Sequence, residues 1–141
     1  MKYMLDTNTC IYLIKKKPAK VIERFKRLDI GDVCISVITL AELCYDVEES
    51  QNKERNWIAL ATFLAPIEML PFSDKAAVRF GEIRAYLEKS GKIIGAYDLL
   101  IAAHALAENL TLVTNNTSEF SRIPGLSIEN WAGLSFYRRR S

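Results

Sequence analysis

Apolar residues in this chain follow two alternating rhythms, short unbroken runs and longer stretches at helical spacing. Tyr3-Met4-Leu5 is a short apolar run closed by Asp6-Thr7-Asn8-Thr9, a turn and helix-cap cluster. Cys10 to Lys17 then reads as helix and stops at Pro18. A second helix runs from about Ala19 to Leu28, with Val21, Ile22, Phe25 and Leu28 at helical spacing. After a turn at Gly31-Asp32, the β-branched, apolar Val33-Cys34-Ile35-Ser36-Val37 predicts a buried strand. Thr39 is placed to cap the next helix, which runs through Leu40, Leu43, Cys44 and Val47, and the polar stretch from Glu48 to Lys53 joins it to a helix from Asn56 to Ala65. Ile67 to Phe72 reads as a strand that Pro71 ends or confines to a sheet edge. Ser73 caps a long helix to about Ser90, with Gly91 as its stop. A further helix begins near Ala96 or Asp98 and runs to Asn109, followed by a strand from Leu110 to Thr114 and a last short strand from Ser127 to Trp131.

Strands alternating with helices predict an α/β fold, with parallel βαβ units covered on both faces. In such sheets the active crevice lies beyond the carboxyl ends of the strands. The chain has 141 residues and a mass of 16.0 kDa, the size of one domain. A hydrophobic content of 50% excludes wholesale disorder. The net charge of +2 is too mild to mark nucleic-acid binding by charge alone. No apolar run approaches the roughly 18 residues of a membrane span, and Met1 to Asp6 lacks the apolar region of a signal peptide. Cys10, Cys34 and Cys44 show no metal-ligand spacing and sit among apolar residues, as reduced, buried thiols in a reducing cytoplasm.

Four carboxylates sit after apolar elements. Asp6 is the first polar residue after the first strand, Glu42 lies on the first turns of the helix after the second, Asp98 opens a helix before the fourth, and Glu119 follows beyond it. A parallel sheet brings all four to one edge, and clustered carboxylates repel unless a hard cation gathers them. Mg²⁺ suits such oxygen ligands, and an ion held there activates water for attack on a phosphate. Each acid also has a purely structural reading. Asp6 could cap a helix, Glu42 could be solvated like Asp46 one turn later, Glu119 could be a surface residue, and Asp98 could cap its own helix. Asp98 is the most telling, because Leu99 to Ala107 is apolar nearly all round and so predicts a helix buried at the domain centre. Gly95 just upstream would let the backbone approach closely.

His104 is the single histidine and lies six residues beyond Asp98, roughly 240° round a helix, facing away from it. A satisfied core histidine is the reading, which leaves no base for a Ser-His-Asp or Cys-His mechanism. Thr114-Asn115-Asn116-Thr117 offers small polar groups that bond a carboxylate, water or phosphate, or simply form a turn; Ser36 has the same two readings. Lys15-Lys16-Lys17 and Arg138-Arg139-Arg140 are solvated faces or sequence-independent phosphate grips. Trp57, Trp131 and the tyrosines read as core or interface residues rather than base-stacking platforms.

Four segments in order, Met4 to Asn8, Ala41-Glu42-Leu43, Ile94 to Ala103 and Leu112 to Phe120, resemble the PIN-domain proteins, and more narrowly the VapC toxins of bacterial type II toxin–antitoxin systems. The resemblance runs through Trp131. It implies a PIN-like α/β/α sandwich over residues 1–132, with a basic C-terminal tail over 133–141. It implies a Mg²⁺-dependent endoribonuclease, with Mn²⁺ as the alternative ion. The family's acids carry over onto Asp6, Glu42, Asp98 and Glu119, with Asp6 and Asp98 as direct metal ligands. Many relatives have an aspartate where this chain has Asn115 or Asn116, so Asn116 or Glu119 takes over the orientation of water or metal, with Asn8 and Thr114 as further positioning groups. The resemblance also implies a cytoplasmic protein, a cognate VapB antitoxin covering the site, a homodimer, and a tRNA substrate, with initiator tRNA cut in the anticodon stem-loop as the leading expectation.

Two other classes compete on the residues alone. An α/β phosphatase would use Asp6 as nucleophile but would want an acid where Asn8 stands. A non-catalytic metal-binding module would keep the acids as a regulatory site.

Overall fold

Successive residues of the central strands point to opposite faces of one sheet, and both faces are buried. The computed structural model describes residues 1–133 and the backbone of Arg138 and Arg139. Its strands are Tyr3–Leu5 (β1), Val33–Ser36 (β2), Glu68–Leu70 (β3), Thr111–Val113 (β4), Ile128–Glu129 (β5) and Arg138–Arg139 (β6). Among the described residues they form one sheet of order β3-β2-β1-β4-β5-β6. The first four pairings are parallel, and β6 alone is antiparallel, to β5. The helices are Thr7–Lys15 (α1), Ala19–Lys26 (α2), Val37–Glu49 (α3), Lys53–Leu64 (α4), Asp74–Lys89 (α5), Ala96–Ala107 (α6) and Thr117–Phe120 (α7).

The two-residue period of the strands divides the core. Met4, Cys34, Leu112 and Ile128 pack with Ile83 and Leu87 of α5 and Leu99 and Ile101 of α6. Leu5, Val33, Ile35 and Val113 pack on the other side with Leu13 of α1, Leu43 and Val47 of α3, and Leu60 of α4. This is the expected α/β/α sandwich. Burying a side chain of this size contributes about 1.5–3 kcal/mol, so the ends of β1 and β4 are a stiff base for whatever follows them. As the all-apolar pattern requires, α6 is buried over most of its surface.

Several boundaries differ from the sequence expectation, each for a local reason. The first helix begins at Thr7 rather than Cys10, because Asp6 itself is the N-cap. The predicted strand residue Val37 instead opens α3, which Ser36 caps, so Thr39 lies buried inside the helix. The run Val33 to Val37 hid this junction because strand passes into helix with no loop between them. The long α5 starts as expected after Ser73, whose hydroxyl accepts from Ala76 N at 3.1 Å. Its stop, Gly91, adopts φ +69°, which favours glycine. Gly95 has open space around its Cβ position, so no close backbone approach explains it. β3 is the edge strand, ending just before Pro71. Of the expected basic tail, 134–137 and 140–141 lie outside the described residues.

Candidate active site

Strand order reverses at the middle of the sheet. The chain leaves β1 to build β2 and β3 on one side, then returns to lay β4 on the other. Ligands of open parallel sheets bind outside the carboxyl ends of the strands at such a reversal. Asp6 follows β1 here and Thr114 follows β4.

Asp6 is 4% exposed, and its Oδ1 accepts from Thr9 N at 2.8 Å. It therefore caps α1 and faces the crevice at once. Burial pushes its carboxyl above the usual range, hydrogen bonds from Thr114 and Thr9 oppose that, and the charge of Glu42 adds to the rise. Glu42 comes from the second turn of α3, where its Oε1 accepts from the Thr7 hydroxyl at 2.6 Å. Its orientation is thus fixed by the first residue of α1 rather than by solvent.

Asp98 sits in the first turn of α6, but the N-cap is Gly95 and no side chain caps this helix. Among the described residues Asp98 makes no hydrogen bond and no ion pair, so capping does not account for it. Burial raises its pKa to about 6, and the charges of Asp6, Glu42 and Glu119 push the same way. The positive end of the α6 dipole makes the helix start a favourable place for this anion.

These three acids, from three different elements, line one cleft of ≈ 560 Å³ together with Asn8 and Asp46. Glu119 does not line it. Glu119 accepts from Asn116 Nδ2 at 2.7 Å, while Asn116 N bonds the Thr114 hydroxyl at 2.9 Å. Thr114, Asn116 and Glu119 thus form a bonded outer group that touches the cleft through Thr114 on Asp6 and through the charge of Glu119 on Asp98. Asn115 instead donates to the Tyr12 hydroxyl at 2.7 Å.

The donor set fits a hard divalent ion. All candidate ligands in the cleft are oxygens, and neighbouring like charges raise each other's proton affinity. Among the described residues no three His, Cys, Asp or Glu side chains form a ready-made ligand cage. Mg²⁺ keeps several waters and uses one or two carboxylates directly, which Asp6 and Asp98 could supply. Thiolate and imidazole donors are elsewhere. Cys10 and Cys34 are buried in the core, and burial pushes the Cys34 thiol up to about 12. His104 is fully buried, with Nδ1 2.8 Å from the Ser36 hydroxyl. Burial lowers its pKa against the opposing Glu108 charge and Pro71 carbonyl. Its Nε2 has no hydrogen-bond partner, so this core histidine is satisfied on one nitrogen only.

From sequence alone Thr7 and Asp46 carry no site role and the tyrosines read as core or interface residues, whereas Thr7, Tyr45, Asp46 and Tyr97 all line the cleft, with Tyr45 and Tyr97 exposed. Thr7 was hidden in a cap cluster. Tyr45 and Asp46 stand three and four positions after Glu42, and Tyr97 adjoins Asp98. Helical spacing from the acids was the signal that could have found them.

The PIN domain family profile matches residues 3–126. The chain belongs to the PIN-domain family. Within it the chain falls among the VapC ribonucleases. It is 48% identical over 132 residues to a tRNA(fMet)-specific endonuclease VapC of Shigella flexneri, covering 94% of this chain and 99% of that protein. It is 51% identical over 132 residues to Ribonuclease VapC2 of Rickettsia felis, covering 93% and 98%. Its fold matches VapBC2 from Rickettsia felis bound to a promoter DNA fragment, with a TM-score of 0.87, 50% identity and coverage of 93% and 99%. It also matches DNA-bound VapBC from Salmonella typhimurium, with a TM-score of 0.88, 48% identity and coverage of 93% and 98%. A VapC chain is an RNA-hydrolysing enzyme, which sets aside the phosphatase and the non-catalytic module.

Proposed function

We propose that this VapC chain is a divalent-metal-dependent endoribonuclease toxin that cuts tRNA, initiator tRNA in the anticodon stem-loop being the first candidate, and that a VapB-type antitoxin silences it. The observation that carries the chemistry is the convergence of Asp6, Glu42 and Asp98 on one cleft at the carboxyl ends of β1 and β2. Asp6 and Asp98 hold Mg²⁺, or Mn²⁺ in its place. When bound, the ion supplies Lewis-acid activation of water and neutralises charge on the phosphate. Glu42 Oε1 is engaged by Thr7, which leaves Oε2 to accept a proton from a water in the cleft. Thr114 steadies the Asp6 carboxylate, and Asn116 keeps Glu119 turned where its charge reaches Asp98. Asn8, exposed on the cleft wall, is placed to donate to a phosphate oxygen.

Two features support the antitoxin as partner. The related structures carry VapBC names. Beside the cleft, a groove of ≈ 430 Å³ between α1, α3 and α4 is lined by Ile11, Ile14, Leu43, Val47 and Leu60, and shares Ile11 and Asp46 with the cleft. An antitoxin helix seated there would lead its next residues over the acids. Homodimers, and hetero-oligomers with the antitoxin, complete the proposal.

Brief induction in cells, followed by sequencing of RNA 5′ ends, tests this reading. New ends concentrated in tRNA, absent from an Asp6→Asn control, are expected. Identical ends in the control would overturn it.

A further inference from the structure

The cleft carries a second chemistry beside its acids. Tyr45 and Tyr97 line it, from α3 and from the start of α6 respectively. Tyr45 is 64% exposed and Tyr97 59% exposed. Among the described residues neither ring stacks on another aromatic, and neither hydroxyl makes a hydrogen bond. Packing against the described residues holds neither ring, so both present their faces at one cleft.

The electrostatics of the cleft sharpen the point. Its walls carry Asp6, Glu42, Asp46 and Asp98 and no lysine or arginine. An RNA strand is anionic along its whole backbone, so these walls repel it except where an ion intervenes. Within the cleft an uncharged part of the nucleotide is then the better handle, and each base offers an aromatic face. Base–aromatic stacking contributes to single-strand binding and tolerates any sequence. A base inside a duplex has both faces occupied by its neighbours, whereas an unpaired base is free to be splayed out.

We propose that Tyr45 and Tyr97 stack on unpaired bases on either side of the scissile phosphate. This rests on the ribonuclease reading of the same cleft and adds the two side chains that grip the substrate's bases. Tyr45 is three residues from Glu42 and Tyr97 adjoins Asp98, so a base held by either ring brings its phosphate to the acids.

The test uses the full chain and a short single-stranded RNA carrying 2-aminopurine, with the matching duplex as control. Stacking on an aromatic ring quenches 2-aminopurine, and the readout does not depend on cleavage. Wild type is expected to quench the single strand and not the duplex. Tyr45→Ala and Tyr97→Ala are each expected to weaken binding and raise KM about tenfold, with kcat changed less than twofold. Tyr45→Phe and Tyr97→Phe, which keep the ring, are expected to restore both. Normal quenching and KM in both alanine variants would overturn the stacking while leaving the ribonuclease reading intact. So would alanine variants that lose only antitoxin binding. If wild type cleaves no RNA, the ribonuclease reading fails, and quenching that depends on the two rings still decides the stacking.

Discussion

The Thr7 hydroxyl donates a 2.6 Å hydrogen bond to the Glu42 carboxylate, tying the first residue of α1 to the helix after β2. The bond spans 35 residues of sequence and fixes an acid that would otherwise be free to swing into solvent. Thr7→Val keeps the shape and removes the donor. Partners of this kind, acting one step behind a metal site, are worth about 10–100-fold. The expected outcome is a loss of kcat of about tenfold with little change in melting temperature. Unchanged kcat would mean that Glu42 needs no such restraint.

Asp6→Asn and Asp98→Asn remove charge from the cleft by different routes. Asn is as good an N-cap as Asp, so Asp6→Asn keeps the bond to Thr9 that starts α1. Both variants are expected to fold, by circular dichroism, and to lose cleavage by roughly 10³-fold, the worth of several kcal/mol of metal chemistry. Glu119→Gln keeps a partner for Asn116 outside the cleft wall and is expected to lose only about tenfold. Equal losses in all three would contradict the division between inner acids and the outer group.

The acids also set the pH dependence of stability. Asp98 titrates at about 6 in the folded protein against 3.8 for an unperturbed aspartate. The folded state therefore binds more protons than the unfolded state between those values, and stability falls as pH rises through that window. The cost is fully present above pH 6 and is relieved as pH drops toward 4. Because Asp98 is only half-buried, solvent screening limits its share to on the order of 1 kcal/mol. Without divalent ions, Asp98→Asn is expected to melt a few degrees above wild type at pH 7, with a flatter profile between pH 4 and 6. A variant less stable than wild type at pH 7 would show that burial and the neighbouring acids do not burden the Asp98 carboxylate.

Ser36 carries two structural duties at the junction of β2 and α3. Its hydroxyl accepts from Ile38 N at 3.0 Å and meets His104 Nδ1 at 2.8 Å. Ser36→Ala removes a helix cap, costing about 1 kcal/mol. It also removes the 2.8 Å partner of His104 Nδ1, costing about 1–3 kcal/mol more. Chemical denaturation is expected to show a loss of about 2–4 kcal/mol. A loss well below 1 kcal/mol would mean that water or a ring flip satisfies His104.

How far the sequence was legible follows from what each residue's role depends on. Met4, Leu5 and the run from Val33 to Ile35 declared their strands because both faces of a parallel sheet are apolar. Asp98 stood out because it opens the one helix that is apolar all round. The start of α3 was misplaced because Val37 and Ile38 favour strand locally, and only the Ser36 cap reveals the helix. Glu119 was expected at the same sheet edge in an orienting role outside the direct ligands; what the sequence did not show is the Asn116 bond that holds it beside the cleft wall. Thr7 read as part of a cap cluster and the tyrosines as core or interface residues, because the cleft that Thr7, Tyr45 and Tyr97 line forms only when distant elements meet.

The central claim is that Asp6, Glu42 and Asp98 act as one ion-dependent centre on RNA. Incubating the purified chain with tRNA, with Mg²⁺ or Mn²⁺ and then with excess chelator, tests it most directly when wild type and Asp98→Asn are run side by side. Cleavage by wild type that the chelator stops and re-added ion restores, with none by Asp98→Asn, is the predicted result. Cleavage that persists in chelator, or that Asp98→Asn performs at the wild-type rate, would contradict it.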